Sequence, residues 1–207
     1  IIFSYLISVA KTYAVDITAD STISSSSDGD QYNIKTNNDI DVIVTNNSTL
    51  ERNQKIFNVS AASLTGSSIT IHLGSSVIAE TNSIFSNGAE LTITNTGTIE
   101  ATNSKAINVS NSDGVSITNN NNGVIKSNNN TILGDAGTGA DNVTIDNSGE
   151  IYTTATGTES SAIVFANNDT GNTITNNSGG EIYSSGSEST IVLGVSSTLT
   201  NSGSIKN

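Results

Sequence analysis

The chain contains no cysteine, proline, methionine or tryptophan. Without cysteine it can form no disulfide, no thiolate metal site and no thiol nucleophile. At average usage proline would occur roughly ten times in a chain this long. Proline donates nothing to a sheet ladder, so its absence suits strands with neighbours on both sides. Aromatics are few, at 4%, and Lys+Arg 7 against Asp+Glu 19 leave a formal net charge of -12. That balance argues against nucleic acid and anionic membrane surfaces as partners, since both attract basic patches.

The apolar run IIFSYLISVA at 1–10 is short of the roughly 20 residues that span a bilayer. The chain starts at Ile1 rather than methionine, and small residues stand at Thr12 and Ala14. Residues 1–14 therefore read as the remnant of a secretory signal peptide, cut after Ala14, in a sequence expected to be a fragment.

Only 13% of the 207 residues are charged. Polarity comes mainly from Asn, Ser and Thr, interleaved with Ile and Val, which is unlike the dense charge of a disordered tail. One phrase recurs: ITNTGTI at 93–99, IDNSGEI at 145–151 and LTNSGSI at 199–205. Looser copies are ITADSTI (17–23), VTNNSTL (44–50), IHLGSSVI (71–78), ITNNNNGVI (117–125) and ITNNSGGEI (174–182). Their first residues, Ile17, Val44, Ile71, Ile93, Ile117, Ile145, Ile174 and Leu199, are 22 to 29 residues apart, about 26 on average. Periods of that length indicate a solenoid rather than a propeller, whose blades are longer.

Each unit has three alternating apolar segments separated by Gly, Asn, Ser and Asp corners, with no helical period. The second anchors are Ile99, Ile125, Ile151, Ile182 and Ile205; the third are Ile56, Ile84, Ile107, Ile132, Ile163 and Ile191. The expected fold is all-β: a single-stranded parallel β-helix of about 26 residues per coil and roughly seven to eight coils. An N-terminal coil or cap is expected over 15–66, and regular coils over 67–207. Asn95, Asn119, Asn147, Asn176 and Asn201 share one repeat position, where stacked amides can bond to one another. Gly97, Gly123, Gly149 and Gly203 follow them, and are expected to supply positive φ at the corner.

These tandem phrases, the later A-I-x-V clusters, the missing cysteine and the signal-like start resemble the passenger region of a bacterial autotransporter. The resemblance covers 17–205. It implies a right-handed β-helix, exported through the periplasm of a Gram-negative bacterium and carried to the cell surface, the outer membrane or the medium by a C-terminal outer-membrane β-barrel. That barrel, absent from this chain, would be its own partner. The resemblance also implies an adhesive role without enzymatic activity, with a host or neighbouring-cell surface protein or glycan as partner.

The same fold also serves enzymes and ice-binding proteins. Pectate-lyase-like and polygalacturonase-like enzymes need clustered carboxylates and a suitably placed base, but the seven bases are scattered and the one histidine, His72, is expected to point outward. Glu150 and Glu181 hold equivalent positions in adjacent coils and should stack about 5 Å apart, near the separation in retaining glycosidases. Both are expected on the open face beside Tyr152 and Tyr183. The four make a candidate contact patch, with stacked Tyr152 and Tyr183 offering aromatic faces to a sugar or partner. Asp28, Asp30, Asp135 and Asp141 lack the spacing of known calcium loops and read as solvated acidic turns. Outward pairs such as Thr92/Thr94 and Thr173/Thr175 resemble ice-binding arrays, but the coils are unequal in length. No cofactor or metal site is expected. Corner loops at 101–105, 126–130, 134–141 and 152–160 are where binding specificity should reside.

Overall fold

The structure, a computed structural model, describes residues 14–24, 27–35, 39–45, 47–60, 64–88, 90–134 and 139–207. Residues 1–13 of the expected signal remnant, together with Lys11 and Asp135, lie outside them, and Ala14 opens the first strand. The described chain is all-β. Short strands alternate among three sheets of eight strands each, and every pairing between strands is parallel. The chain winds as a β-solenoid, with each turn laid on the one before at a repeat of ~26 residues. The first and last strands of each sheet have a neighbour on one side only, which leaves six turns enclosed from both sides.

The first sheet runs from Ala14–Ile17 to Ile191–Val192, the second from Ser21–Ile23 to Thr198–Asn201, and the third from Ser27–Asp28 to Ser204–Lys206. Period-2 alternation sends every second side chain into a shared core. In Leu91–Asn95, Leu91, Ile93 and Asn95 are buried, while Thr92 and Thr94 face outward. Identical residues stack: Ile93, Ile117, Ile145 and Ile174 are successive register partners, as are Ile99, Ile125, Ile151 and Ile182. The core is thus made of aliphatic columns parallel to the solenoid axis. Each buried Ile contributes roughly 1.5–3 kcal/mol, and no turn could bury its own anchors without a neighbour.

Three expected placements differ. Ile17 belongs to the first sheet, opposite Ile34, rather than heading the second-sheet column. Ile93 pairs with Ile69, which in turn faces Val42, so Val44 and Ile71 lie two residues further along. In the first sheet the partner of Ile84 is Phe57, not Ile56. The adjacent pair Ile56/Phe57 and the alternate pair Ile69/Ile71 are all fully buried, so either member could have been the anchor on hydrophobicity alone.

The two-residue shift changes the meaning of the asparagines. One continuous column reads Ile23, Val44, Ile71, Asn95, Asn119, Asn147, Asn176, Asn201. Halfway along the molecule it switches from aliphatic to amide. Asn95, Asn119, Asn147 and Asn176 are fully buried. Each Nδ2 donates to the next Oδ1: Asn95 to Asn119 at 2.9 Å, then Asn119 to Asn147, Asn147 to Asn176 and Asn176 to Asn201, each at 2.8 Å. The same Nδ2 atoms reach carbonyls at the following corner, as Asn119 does to Gly123 and Glu150. The amides are thereby satisfied inside the core, the condition for burying them at all.

The glycines after the asparagines do not have positive φ, contrary to expectation. They are small because the corner lies against the previous turn. A Cβ on Gly97 would strike the Ser75 and His72 carbonyl oxygens, and one on Gly149 those of Gly123 and Asn120.

Candidate functional site

The outward face of the third sheet collects the four patch residues. Outward positions of Thr98–Ala101, Val124–Ser127, Glu150–Thr153, Glu181–Ser184 and Ser204–Lys206 form two columns. One reads Thr98, Val124, Glu150, Glu181, Ser204, and the other Glu100, Lys126, Tyr152, Tyr183, Lys206. Between them the inward residues Ile99, Ile125, Ile151 and Ile182 are fully buried. The patch is therefore fixed to a rigid wall by the core behind it.

Tyr152 and Tyr183 stack with centroids 4.5 Å apart and planes 7° from parallel. The stack expected of these two equivalent positions is formed, and it covers one face of each ring. The remaining faces look along the column, toward the Lys126 and Lys206 positions. Burial, then the neighbouring Tyr152 and Glu150, push the Tyr183 phenol up to about 12. The basic residues are engaged: Lys126 Nζ lies 2.9 Å from Glu100 Oε2, and Lys206 Nζ lies 3.2 Å from Glu181 Oε2. The hydrogen bond to Glu100 is the main cause raising the Lys126 pKa.

Two shallow grooves flank the columns. One, of about 250 Å³, runs past Glu100, Thr102, Lys126, Asn128, Tyr152 and Thr154. The other, of about 220 Å³, runs past Asn121, Asn122, Ser148, Glu150, Gly179 and Glu181. Exposed carboxylates, half-buried phenols and side-chain amides suit reversible hydrogen bonding to a polar partner. Glu150 and Glu181 are register partners, but Glu181 is tied to Lys206 and Glu150 is exposed. The arrangement lacks the sheltered carboxyl that a glycosidase acid requires.

The other candidates resolve separately. His72 is exposed at a corner, with Nδ1 3.1 Å from Thr45 Oγ1. The threonine column of the second sheet passes from Thr94 to Thr118 to Asp146 to Thr175, so a carboxylate interrupts it. Among the described residues no three His, Cys, Asp or Glu side chains are grouped to hold a metal. Asp141 instead caps a neighbouring turn, with Oδ1 accepting from the Thr170 amide at 2.6 Å.

One buried acid escaped the sequence reading. Asp169 is fully buried and accepts from the Ala140 and Ala166 amides at 2.8 and 2.7 Å. It fastens two corners together, so its role is in the architecture. Comparison of the chain with known protein families, with curated proteins and with solved structures finds no match.

Proposed function

We propose that the chain is a non-enzymatic β-solenoid stalk that projects from a cell surface and contributes to adhesion or cell–cell contact. The carrying observation is the unbroken stack of three parallel sheets, in which each turn rests in register on the last. A stack of this kind extends by repetition and holds outward residues at fixed spacing, which is what a display scaffold requires. The sequence resemblance to autotransporter passengers supports the setting: export through the periplasm of a Gram-negative bacterium, with an outer-membrane barrel as the chain's own partner. The absence of cysteine suits passage through an oxidising compartment in an unfolded state. Contact with a surface protein or glycan would use the Glu150, Tyr152, Glu181, Tyr183 face and the corner loops beside it.

The test is to fuse the chain between a signal peptide and an outer-membrane barrel in a Gram-negative host. Surface exposure is then read by protease shaving of intact cells, and adhesion by retention on glycan- and protein-coated surfaces. Protease-accessible chain, with retention above that of the barrel alone, supports the proposal. Retention equal to the barrel alone, with the chain demonstrably on the surface, overturns the adhesive role. Chain trapped in the periplasm overturns the passenger assignment.

A further inference from the structure

The bases of this acidic chain are not equally compensated. Among the described residues, Lys35, Lys105, Lys126 and Lys206 each form an ion pair with a carboxylate. Arg52 and Lys55 form none, and they share one corner, between the third and first sheets. Arg52 occupies an inward position, in register with Ala79, and is only 9% exposed. Its Nη1 donates to Gln31 Oε1 at 2.8 Å and to the Lys55 carbonyl at 3.0 Å, while its buried Nε has no partner. Asp30 acts on the guanidinium through space without forming an ion pair. Lys55 Nζ sits 3.5 Å from the centroid of the Phe85 ring. Burial depresses the pKa of both cations, as expected for charge taken out of water without a matching carboxylate.

Gln31 and Lys55, the residues that Arg52 braces, stand on the rim of a groove of about 430 Å³, whose other walls are Gln54, Asn58, Thr81 and Asn82. The lining is amides, one hydroxyl and one ammonium, with no carboxylate. The chain's net negative charge does not forbid an anion here. Screening confines exposed charges to a range of about 8 Å at physiological salt; Lys55 lines the groove with the Arg52 charge behind its wall, and the nearby carboxylates of Asp30 and Glu80, next in sequence to Gln31 and Thr81, are not among the lining residues. Amides placed around a single cation match a ligand with many hydroxyls and one acidic group.

We propose that this corner groove binds an acidic sugar. The anionic group pairs with the Lys55 ammonium in front of the Arg52 guanidinium, and ring hydroxyls bond the amides of Gln31, Gln54, Asn58 and Asn82. A uronic carboxylate and a sulfate ester supply the same chemistry. The site does not depend on whether the chain is displayed on a cell.

The experiment titrates the whole isotope-labelled chain by NMR with three disaccharides: one carrying a uronic carboxylate, one sulfated, and one neutral. At least one acidic probe is expected to shift the amide signals of Lys55, Asn58, Asn82 and Phe85, and to bind at least about tenfold tighter than the neutral probe, the scale of one charge-assisted contact. A preference between carboxylate and sulfate identifies which anion the groove takes. Lys55→Gln is expected to weaken acidic-probe binding about tenfold while the chain still unfolds cooperatively, with only the small fall in melting temperature due to the lost Phe85 contact, whereas Lys35→Gln leaves the binding unchanged. Asn58→Ala should weaken it several-fold through loss of a lining amide. Equal binding of the neutral probe, unchanged affinity in both Lys55→Gln and Asn58→Ala, shifts confined to the Tyr152–Tyr183 face, or no binding of either acidic probe would each overturn the proposal.

Discussion

A methyl group added to Gly149 would collide with the Gly123 carbonyl oxygen and stand 2.6 Å from that of Asn120, whereas one added to Gly157 meets nothing within 4 Å. Neither glycine has positive φ, so the contrast isolates steric fit from backbone strain. Gly149→Ala is expected to cost about 1–3 kcal/mol by forcing two turns apart. Gly157→Ala should be neutral or stabilise by about 0.4–1 kcal/mol, since alanine restricts the unfolded chain. Urea denaturation of both variants checks this, and similar stabilities would show that the turns give way more easily than the close carbonyls imply. The asparagine ladder allows a second contrast. Asn119 both accepts from Asn95 and donates to Asn147, but Asn95 follows Ile71 in the column and has no amide before it. Asn119→Ala leaves the Asn147 acceptor without its ladder partner and the Asn95 donor with only the Gly97 and Val124 carbonyls, and should cost about 2–6 kcal/mol, at about 1–3 for each group that loses its ladder bond. Asn95→Ala strands one ladder partner and should cost less. Equal losses would mean that the ladder does not act link by link.

At the scale of strands and sheets, the alternation of apolar and polar residues was enough to place most of the third sheet. Ile99, Ile125, Ile151, Ile182 and Ile205 each stand one to a strand between outward residues, so the column could be read directly. The second sheet was harder because Ser67–Ile71 carries two buried isoleucines. A phrase can be aligned on either Ile69 or Ile71, and only the pairing with Ile93 decides. That ambiguity hid the conversion of one column from aliphatic to amide. The patch was legible because Glu150, Tyr152, Glu181 and Tyr183 repeat as E-I-Y in consecutive turns. The stacking of the two rings follows from that same equivalence of position, whereas their 4.5 Å spacing and 7° tilt depend on side-chain torsions that a pattern does not carry. Arg52 was missed because the bases were placed by turn and not by parity. Leu50 and Arg52 share the inward side of Thr49–Arg52, and that parity was the available signal. The sheet-face pair has its own pH signature. Tyr183 titrates at about 12 in the fold against an ordinary value of 10.0. The raised value favours the protonated phenol in the fold. The resulting stability is present in full below about pH 10 and is lost as pH rises from there through about 12. Phenolate absorbance across that range should show one of the five tyrosines ionising last, and Tyr183→Phe should remove that step. Tyr152→Phe should lower the step only partway, because burial outweighs the neighbouring phenol. A single common step near 10 in the parent chain would contradict the packing of the pair.

For the molecule as a whole, stability comes from contact between turns. Among the described residues every strand pairs with strands one turn away, and no sheet forms within a single turn. A turn such as 93–116 contributes five buried Ile and Val side chains, Ile93, Ile99, Ile107, Val109 and Val115, at roughly 1.5–3 kcal/mol each, while ordering its backbone costs about 1–2 kcal/mol per residue. Alone it should show no cooperative unfolding. Residues 67–207 keep the whole amide ladder and the successive turns around it. They should unfold cooperatively, with a denaturant slope reduced in proportion to the surface removed. Circular dichroism during urea titration of the peptide, the shortened chain and the full chain gives the comparison. A sharp transition in the single-turn peptide would mean that a turn carries its own stability. Loss of structure in 67–207 would place the indispensable nucleus in the aliphatic half, at Val42, Val44 and Leu50. Cooperative unfolding of 67–207 alone, with the peptide unstructured, is the result expected of a stack whose stability is the sum of its nearest-neighbour contacts.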